Sequence, residues 1–244
     1  MTRSDTSIHV LVIAHPDDES MFFIPTIKSL IHAGKTVWCL CLTTGDYDGL
    51  GKQRQKELVQ AGKLLGMEKV IIRDDLKDHP SNRWPVKKVS SVIQAALSEH
   101  GSDNFSHRFS LITFDSLGVS GHCNHIDTFL GVCDALHTKS QNKEMNIVEG
   151  WKLESEGNLI HKYFPVQSWM MFLLSLVASR NYLNDSLGKD DRRIYRWNEP
   201  WLNWKAMATH ESQFVWYRRL FVIFSCYTYV NKLCKITPSK TKEG

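Results

Sequence analysis

Short apolar runs alternate with amphipathic stretches along the first half of this chain. Residues 8–14 (IHVLVIA) and 36–42 (TVWCLCL) are rich in apolar and β-branched residues, a pattern typical of strands that are buried on both faces. Leu58, Ala61 and Leu65 recur at helical spacing and share one side of an amphipathic helix. The complete pattern predicts strands at 8–14, 36–42, 70–72 and 111–114, and helices at 20–33, 53–65 and 85–100.

This alternation of strands and helices predicts an α/β protein, a Rossmann-like three-layer fold with a mainly parallel sheet. Loops are predicted at 15–19, 43–51 and 118–127, and each of them follows a strand. Ligands of such sheets bind beyond the carboxyl ends of the strands. We therefore expect the three loops to meet at one edge of the sheet and to form the functional site there.

Length and charge narrow the classes of protein. The chain has 244 residues, 42% of them hydrophobic, and no linker divides it, so we expect a single domain over residues 1–244. The net charge is +4, and residues 214–244 alone carry six basic residues against one acidic residue. The rest is nearly neutral, which argues against a polybasic nucleic-acid binder. Residues 232–244 form a basic tail that is free to be flexible.

The sequence favours a cytosolic protein or the cytosolic face of a membrane. Residues 1–7 are polar and resemble neither a signal peptide nor an anchor helix. The six cysteines form no CxxC pair, as expected of reduced, buried thiols. Apolar stretches at 163–179 and 220–230 fall short of the ~20 residues that span a bilayer. Residues 214–229, with seven aromatic residues, are predicted to form a helix that lies either in the core or in a membrane interface.

The first group of candidate chemical residues follows the first strand. His15, Asp17, Asp18 and Glu19 stand within five positions after a buried strand, where charged groups are costly unless they have a function. Pro16 forces a turn, so His15 and Asp18 can point at one divalent metal ion. The alternative is that Asp18 only caps the next helix.

The second group lies in the predicted loop at 118–127. Its histidines, His122 and His125, are three residues apart and are preceded by two glycines. If His125 joins His15 and Asp18, two imidazoles and one carboxylate bind one face of a metal ion. Open coordination positions would then remain for water and substrate, as in a catalytic site.

These motifs resemble a known family. AHPDDE after the first strand, TGD with RQKEL at 54–58, and the later GVSGHCNH resemble the PIG-L/LmbE superfamily of metal-dependent N-deacetylases. YFPVQSW at 163–169 and HESQFVWYRRL at 210–220 resemble its lipid-linked branch, the N-acetylglucosaminyl-phosphatidylinositol de-N-acetylase family. The resemblance covers nearly the whole chain and implies an LmbE-like fold.

The resemblance also implies roles for individual residues. His15, Asp18 and His125 would bind the metal, most simply Zn²⁺. Asp17 would be the general base, and His122 would stabilise the oxyanion as a protonated imidazole or act as an acid. Either Asp17 or His122 would protonate the leaving amine.

Four further residues are candidates for supporting roles. Arg54 would clamp a sugar hydroxyl pair or a phosphate, unless it is an exposed helix residue. His210 would contact the substrate, unless it is a packed core histidine. Asp115 would orient a metal-binding histidine. Cys123 would be either a fourth, soft metal ligand or a neighbour that points away.

The implied reaction removes the acetyl group from N-acetylglucosaminyl-phosphatidylinositol in GPI-anchor biosynthesis. The implied location is the cytosolic face of the endoplasmic reticulum membrane, with a membrane surface as partner and with peripheral or interfacial attachment. Three alternatives stay open. They are a soluble deacetylase of another GlcNAc conjugate, a Mg²⁺ phosphohydrolase, and a non-catalytic sugar- or lipid-binding module. Two histidine ligands disfavour Mg²⁺, which prefers oxygen.

Overall fold

A computed structural model describes residues 7–101, 107–139, 146–164, 166, 169–170, 191–197 and 199–237 of the chain. Its strands are β1 Ser7–Ile13, β2 Val37–Cys41, β3 Lys69–Ile72, β4 Arg108–Thr113, β5 Ile147–Leu153, β6 Arg192–Arg196 and β7 Val230–Lys235. Its α-helices are α1 Ile24–His32, α2 Gly51–Leu65, α3 Val86–Gly101, α4 Gly118–Gly121, α5 Cys123–Lys139, α6 Leu159–Tyr163, α7 Pro200–Ala208 and α8 Trp216–Phe224.

These strands form one seven-stranded sheet in the order β3-β2-β1-β4-β5-β7-β6. The first five strands are parallel, whereas β7 pairs antiparallel with both β5 and β6. All seven residues of β1 are buried because this strand lies between β2 and β4 and is covered on both faces. The predicted α/β class with a mainly parallel sheet is therefore confirmed.

Helices cover both faces of the sheet. The connections from β1 to β3 run in one direction and those from β3 to β5 run back across β1. Right-handed crossovers in opposite directions place α1 and α2 on one face and α3 and α5 on the other. Helix α1 packs on β2, β6 and β7, and α5 packs on β1, β4 and β5. The carboxyl ends of β1, β2 and β4 consequently share one edge.

Two expectations for the loops and helices near this edge need adjustment. The segment 118–127, expected as a loop because of its glycines, is mostly helical: α4 spans 118–121 and α5 begins at Cys123. Helix α4 is itself kinked at Val119, which has a positive φ of 62°. The predicted helix at 20–33 contains a π-helical turn, Glu19–Phe23, after which Pro25 restarts the chain as α1.

The C-terminal third departs most from expectation. The region 214–229 is not one helix, because α8 ends at Phe224 and a short 3₁₀ turn leads into β7. Residues 232–235 are not a flexible tail, since they pair within β7 between β5 and β6. Residues 238–244, and most of the apolar stretch 163–179, lie outside the described residues.

All six cysteines are free thiols, and Cys39 and Cys41 are buried side by side along β2. Within the part of the chain that the structure describes, no helix is both long and apolar enough to cross a bilayer.

Candidate active site

The turn after β1 is held in an unusual backbone conformation. Asp17 has φ 130°, a region that side chains other than glycine rarely adopt, and its N–H donates to the Glu19 carboxylate at 3.2 Å. Asp18 does not cap the following helix. Its Oδ2 instead accepts the backbone N–H groups of Ala14 and His15, at 3.1 and 2.8 Å. The Oδ1 atom of Asp18 is thereby aimed away from the turn.

Oδ1 of Asp18 faces a histidine from the other side of the sheet edge. It lies 3.1 Å from Nε2 of His125, in the first turns of α5. The other ring nitrogen of His125 donates to the Gly118 carbonyl at 3.0 Å, which fixes the tautomer and leaves Nε2 for a metal ion. The imidazole also stacks on Phe114, with 4.1 Å between ring centroids.

Asp115 does not contact a histidine, contrary to expectation. Its carboxylate accepts the backbone N–H groups of Leu117 and Gly118, at 3.0 and 3.1 Å, and the hydroxyl and backbone N–H of Ser155. Asp115 therefore holds the turn whose Gly118 carbonyl orients His125. The carboxylate is thus linked to the His125 imidazole through the Gly118 turn and not by a direct hydrogen bond.

Three imidazoles converge beside Asp18. The ring centroid of His15 is 4.8 Å from that of His122 and 5.5 Å from that of His125. One nitrogen from each ring lies within 4.8 Å of the other two. The sequence-predicted set of His15, Asp18 and His125 is thus brought together, and His122 is brought with it.

This donor set fits a divalent metal ion. Imidazole nitrogens and a carboxylate are borderline-to-hard ligands, as Zn²⁺ and similar ions require. Two ligands that each lie about 2.1 Å from a tetrahedral ion are about 3.4 Å apart. The observed distance between Oδ1 of Asp18 and Nε2 of His125, 3.1 Å, is close to that separation. Cys123 points elsewhere, with its thiol towards the Pro80 and Asn82 carbonyls.

Protonation within the cluster follows from burial and charge. Burial would raise the pKa of Asp18, but His125 and His15 outweigh it and the pKa is lowered. Burial would lower the pKa of His15, but Asp78 and Asp18 outweigh it and the pKa is raised. Burial, assisted by the other two imidazoles, lowers the pKa of His122 to about 4.

His122 is consequently neutral near pH 7, so the expected protonated imidazole is wrong for this state. Its Nδ1 accepts the backbone N–H of Asn124 at 3.3 Å. In a neutral ring the proton then resides on Nε2, which is a hydrogen-bond donor. His122 can still stabilise an oxyanion, but as a neutral donor.

Asp17 lies beside two guanidinium groups. Arg218, from α8, donates to its Oδ2 in a short contact, and Nη2 of Arg54 lies 3.8 Å from its Oδ1. The two cations supply counter-charge for a carboxylate that is almost fully buried. Asp17 lines the same pocket as the three imidazoles.

Arg54 is buried in the wall of the pocket, not exposed on its helix. Its Nη1 and Nη2 donate to the carbonyls of Gly45 and Pro16, at 2.9 and 3.0 Å, and tie two of the converging loops together. Gly45 has φ +70°, and a Cβ there would lie 2.5 Å from the guanidinium carbon. Only glycine allows this close approach.

His210 does not line the pocket, and substrate contact was the wrong expectation. The side chain is fully buried, and its Nε2 lies 2.6 Å from Oε1 of Glu19. Glu19 in turn accepts the N–H of Asp17. His210 therefore supports the strained Asp17 turn from behind.

A pocket of about 300 Å³ joins these groups, and its wall includes residues that the sequence reasoning missed. Asp78, in the loop after β3, lies 3.2 Å from Nε2 of His15 and 3.6 Å from Nη1 of Arg54. The sequence signal that could have identified Asp78 is its position in the loop after β3, the third strand of the parallel series. In the sequence, Arg218 stands out only as part of the motif HESQFVWYRRL, and no local signal shows that it faces the pocket.

A parallel α/β sheet with imidazoles and a carboxylate at the carboxyl ends of its strands is the arrangement of a metal-dependent hydrolase. The GlcNAc-PI de-N-acetylase (PIG-L) family model matches residues 10–136. This chain is 32% identical to N-acetylglucosaminyl-phosphatidylinositol de-N-acetylase of Bos taurus, over 92% of this chain and 81% of the bovine one. It is 33% identical to the probable enzyme of that name from Schizosaccharomyces pombe, over 93% and 86% of the two chains.

Solved structures agree on the fold. N,N'-diacetylchitobiose deacetylase from Pyrococcus horikoshii aligns with a TM-score of 0.60 at 18% identity, over 95% of this chain and 84% of that one. The zinc-inhibited form of teicoplanin deacetylase Orf2 aligns with a TM-score of 0.57 at 14% identity, over 96% and 100% of the two chains. The chain belongs to the GlcNAc-PI de-N-acetylase (PIG-L) family, and the LmbE-like fold is confirmed.

Proposed function

We propose that this protein removes the acetyl group from N-acetylglucosaminyl-phosphatidylinositol and releases acetate and glucosaminyl-phosphatidylinositol. The observation that carries the proposal is the convergence of Asp18, His15 and His125 beside Asp17, in a chain of the GlcNAc-PI de-N-acetylase family. Family relatives that bear the name of this activity align over more than nine-tenths of the chain. The reaction is a step of GPI-anchor biosynthesis, so the expected location is the cytosolic face of the endoplasmic reticulum membrane.

His15, Asp18 and His125 are the proposed ligands of a divalent metal ion, and Zn²⁺ is the proposed ion. When bound, such an ion supplies a Lewis acid that polarises the amide carbonyl and acidifies water to a pKa of about 7. The Gly118 carbonyl favours the tautomer of His125 in which Nε2 carries the lone pair that would bind the ion. The two backbone N–H groups on Oδ2 of Asp18 hold this carboxylate ionised and oriented.

Asp17 and His122 carry the proton and charge chemistry. Asp17 accepts the proton of the attacking water and returns it to the leaving amine nitrogen. The Nε2–H of His122 donates to the oxyanion that develops on the acetyl oxygen. Asp17 rather than His122 delivers the proton, because the low pKa of His122 leaves a neutral ring, and a neutral imidazole does not give up its remaining N–H proton to an amine.

Arg54 and Arg218 are the proposed contacts for the polar part of the substrate. Both guanidinium groups line the pocket and carry charge that suits sugar hydroxyls and the phosphodiester. Arg54 already donates to two carbonyls, so its role in binding is to shape the wall and to supply a nearby positive charge.

Acetate release by the purified full chain tests this function. Detergent-dispersed N-acetylglucosaminyl-phosphatidylinositol should yield acetate and a free amine. A chelator should stop the reaction, and Zn²⁺ should restore it. Release from a soluble GlcNAc conjugate but not from the glycolipid would favour the alternative of a soluble deacetylase. No acetate from either substrate by the metal-loaded protein would overturn the proposal.

A further inference from the structure

Helix α8 directs its apolar side outward. Trp216, Leu220 and Ile223 follow one stripe of the helix and are 71%, 47% and 42% exposed. Among the residues of this helix, Val222 is the one that is buried. A helix on the surface of a soluble domain normally turns a polar side to solvent, whereas α8 exposes this apolar stripe and also packs Phe221 and Val222 towards the core.

Helix α6 extends the same apolar surface. It packs beside α8, and Leu159 and Ile160 are 70% and 67% exposed, with Phe164 just beyond the helix at 59%. Contiguous patches of this kind mark interaction sites on soluble proteins. We define the apolar rim as Leu159, Ile160, Phe164, Trp216, Leu220 and Ile223.

The apolar rim lies next to the 300 Å³ pocket that contains His15, His122 and His125, which we call the metal pocket. A groove of about 450 Å³ runs between Phe164 on one side and Tyr217 and Phe221 on the other. Met21 and Arg218 line both this groove and the pocket that contains the imidazoles. A molecule with apolar chains in the groove would therefore have its polar end beside Asp17.

The charge of the region is positive. Segments 159–164 and 214–224 contain no Asp or Glu. Arg219 is exposed next to the apolar stripe, with its guanidinium 4.9 Å from the Phe214 ring centroid. On the adjoining helix α7, Lys205 is exposed, directly after the exposed Trp204 and one turn after the exposed Trp201. Aromatic residues with interspersed cations are the chemistry of a surface that binds an anionic lipid interface.

We propose that the apolar rim docks this protein onto the surface of an anionic phospholipid bilayer, with the mouth of the metal pocket facing the lipid. The inference rests on the proposed function in one respect: a glycolipid substrate would keep its acyl chains in the bilayer while its head group enters the pocket. Trp216 and Ile223 insert among the acyl chains, and Arg219 contacts lipid phosphates. A second copy of the chain is the competing occupant.

Flotation with vesicles tests the docking. The full chain is mixed with phosphatidylcholine vesicles, with and without phosphatidylserine, alongside the variants Trp216→Asp, Ile223→Asp and Leu64→Asp. Leu64, on α2, is the matched control, because it is 41% exposed against 42% for Ile223 and lies outside the apolar rim. We expect a charge at 216 or 223 to lower vesicle binding at least about tenfold and Leu64→Asp to leave it unchanged.

Binding that is equal in all four proteins, or absent from the unaltered chain, would overturn the docking. So would a dimer that Ile223→Asp dissociates while vesicle binding stays the same, because the rim would then be an interface between copies. Equal circular dichroism spectra and melting temperatures establish that the variants are folded.

A kinetic comparison separates this inference from the proposed function. Ile223→Asp should deacetylate a water-soluble N-acetylglucosaminyl-inositol phosphate at the normal rate but lose about tenfold on substrate in vesicles. If both rates fall together, the rim is not a docking surface. If the unaltered chain floats with vesicles yet releases no acetate from either substrate, the proposed reaction fails and the docking stands.

Discussion

The metal pocket and the apolar rim lie side by side, and they depart from ordinary protein burial in opposite ways: the pocket buries charged groups, and the rim exposes large apolar ones. In the pocket, the charged groups Asp17 and Asp18 are each only 3% exposed. On the rim, Trp216 and Leu159 are 71% and 70% exposed. Burying charge and exposing large apolar surface are both costly, and each is expected where a ligand compensates for it.

The two regions also differ in how firmly their side chains are held. Each proposed metal ligand has a backbone or side-chain partner that fixes it: Asp78 for His15, the Gly118 carbonyl for His125, and the turn N–H groups for Asp18. The exposed side chains of α8 have few such constraints. We infer that the pocket is preorganised for chemistry, and that the rim is adaptable to a fluid surface.

The largest expected effect is on catalysis. Asp17→Asn removes the proposed base while keeping the side-chain shape, so kcat for acetate release should fall by roughly 10²–10⁴-fold. Bound metal, measured by elemental analysis, should stay at the normal level. Asp75→Asn is the control, because Asp75 pairs with Arg73 at the surface. A kcat within threefold of normal for Asp17→Asn would assign the base to another residue.

A matched pair of leucines sharpens the contrast between packed and exposed apolar groups. Leu58 is 0% exposed and Leu220 is 47% exposed. Leu58→Ala should lower the free energy of unfolding by about 2–5 kcal/mol, since it leaves a cavity. Leu220→Ala should change it by less than about 0.5 kcal/mol. Urea unfolding measures both values, and a loss for Leu220 as large as that for Leu58 would mean that the rim is packed in solution.

The turn that orients His125 should tune metal affinity. Both carboxylate oxygens of Asp115 accept hydrogen bonds, from backbone N–H groups and from the Ser155 hydroxyl. Asp115→Asn exchanges one of these acceptors for an amide N–H₂ group, which cannot accept, and this loosens the Gly118 turn. Metal affinity, measured by competition with a coloured chelator, should fall about tenfold, the lower end for residues that support a metal ligand. The control is Asp134→Asn, because Asp134 of α5 pairs with the exposed Lys87; this variant should leave the metal affinity unchanged. Unaltered affinity for Asp115→Asn would uncouple the turn from the site.

The smallest effect concerns pH and stability. Burial would lower the pKa of His210, but the Glu19 carboxylate outweighs it, and the pKa lies above its usual 6.5. A raised pKa means that the folded state favours protonated His210. Its contribution is complete below pH 6.5 and is lost as pH rises through the folded-state pKa. The melting temperature should therefore fall more between pH 6.5 and 9 in the unaltered chain than in His210→Gln, and parallel curves would contradict the pairing.

Local pattern was sufficient for the parallel half of the fold. Strands β1 and β2 are central, so nearly every side chain in them is apolar, and a continuous run is legible in sequence. The motif residues follow β1 and β4, and these neighbouring parallel strands end at the same edge of the sheet. The topology that the pattern predicts is therefore enough to expect His15, Asp18 and His125 close together.

The antiparallel strands β6 and β7 could not be predicted from the local sequence pattern, for a physical reason. Strand β6 reads RRIYR and β7 reads VNKLCK, and the charges of such short, partly exposed strands hide their alternation. Their pairing is set by partners far away in sequence. Glu19 and His210, 191 residues apart, illustrate the same limit, since burial of a histidine depends on which distant carboxylate meets it.

Anomalous diffraction at the zinc edge from crystals grown with Zn²⁺ tests the central claim most directly. We expect one ion in the pocket, about 2.0–2.2 Å from a nitrogen of His15, a nitrogen of His125 and Oδ1 of Asp18. An ion bound by the three histidines with Asp18 turned away would contradict the ligand assignment. No ion at the pocket would contradict the metal-dependent chemistry itself.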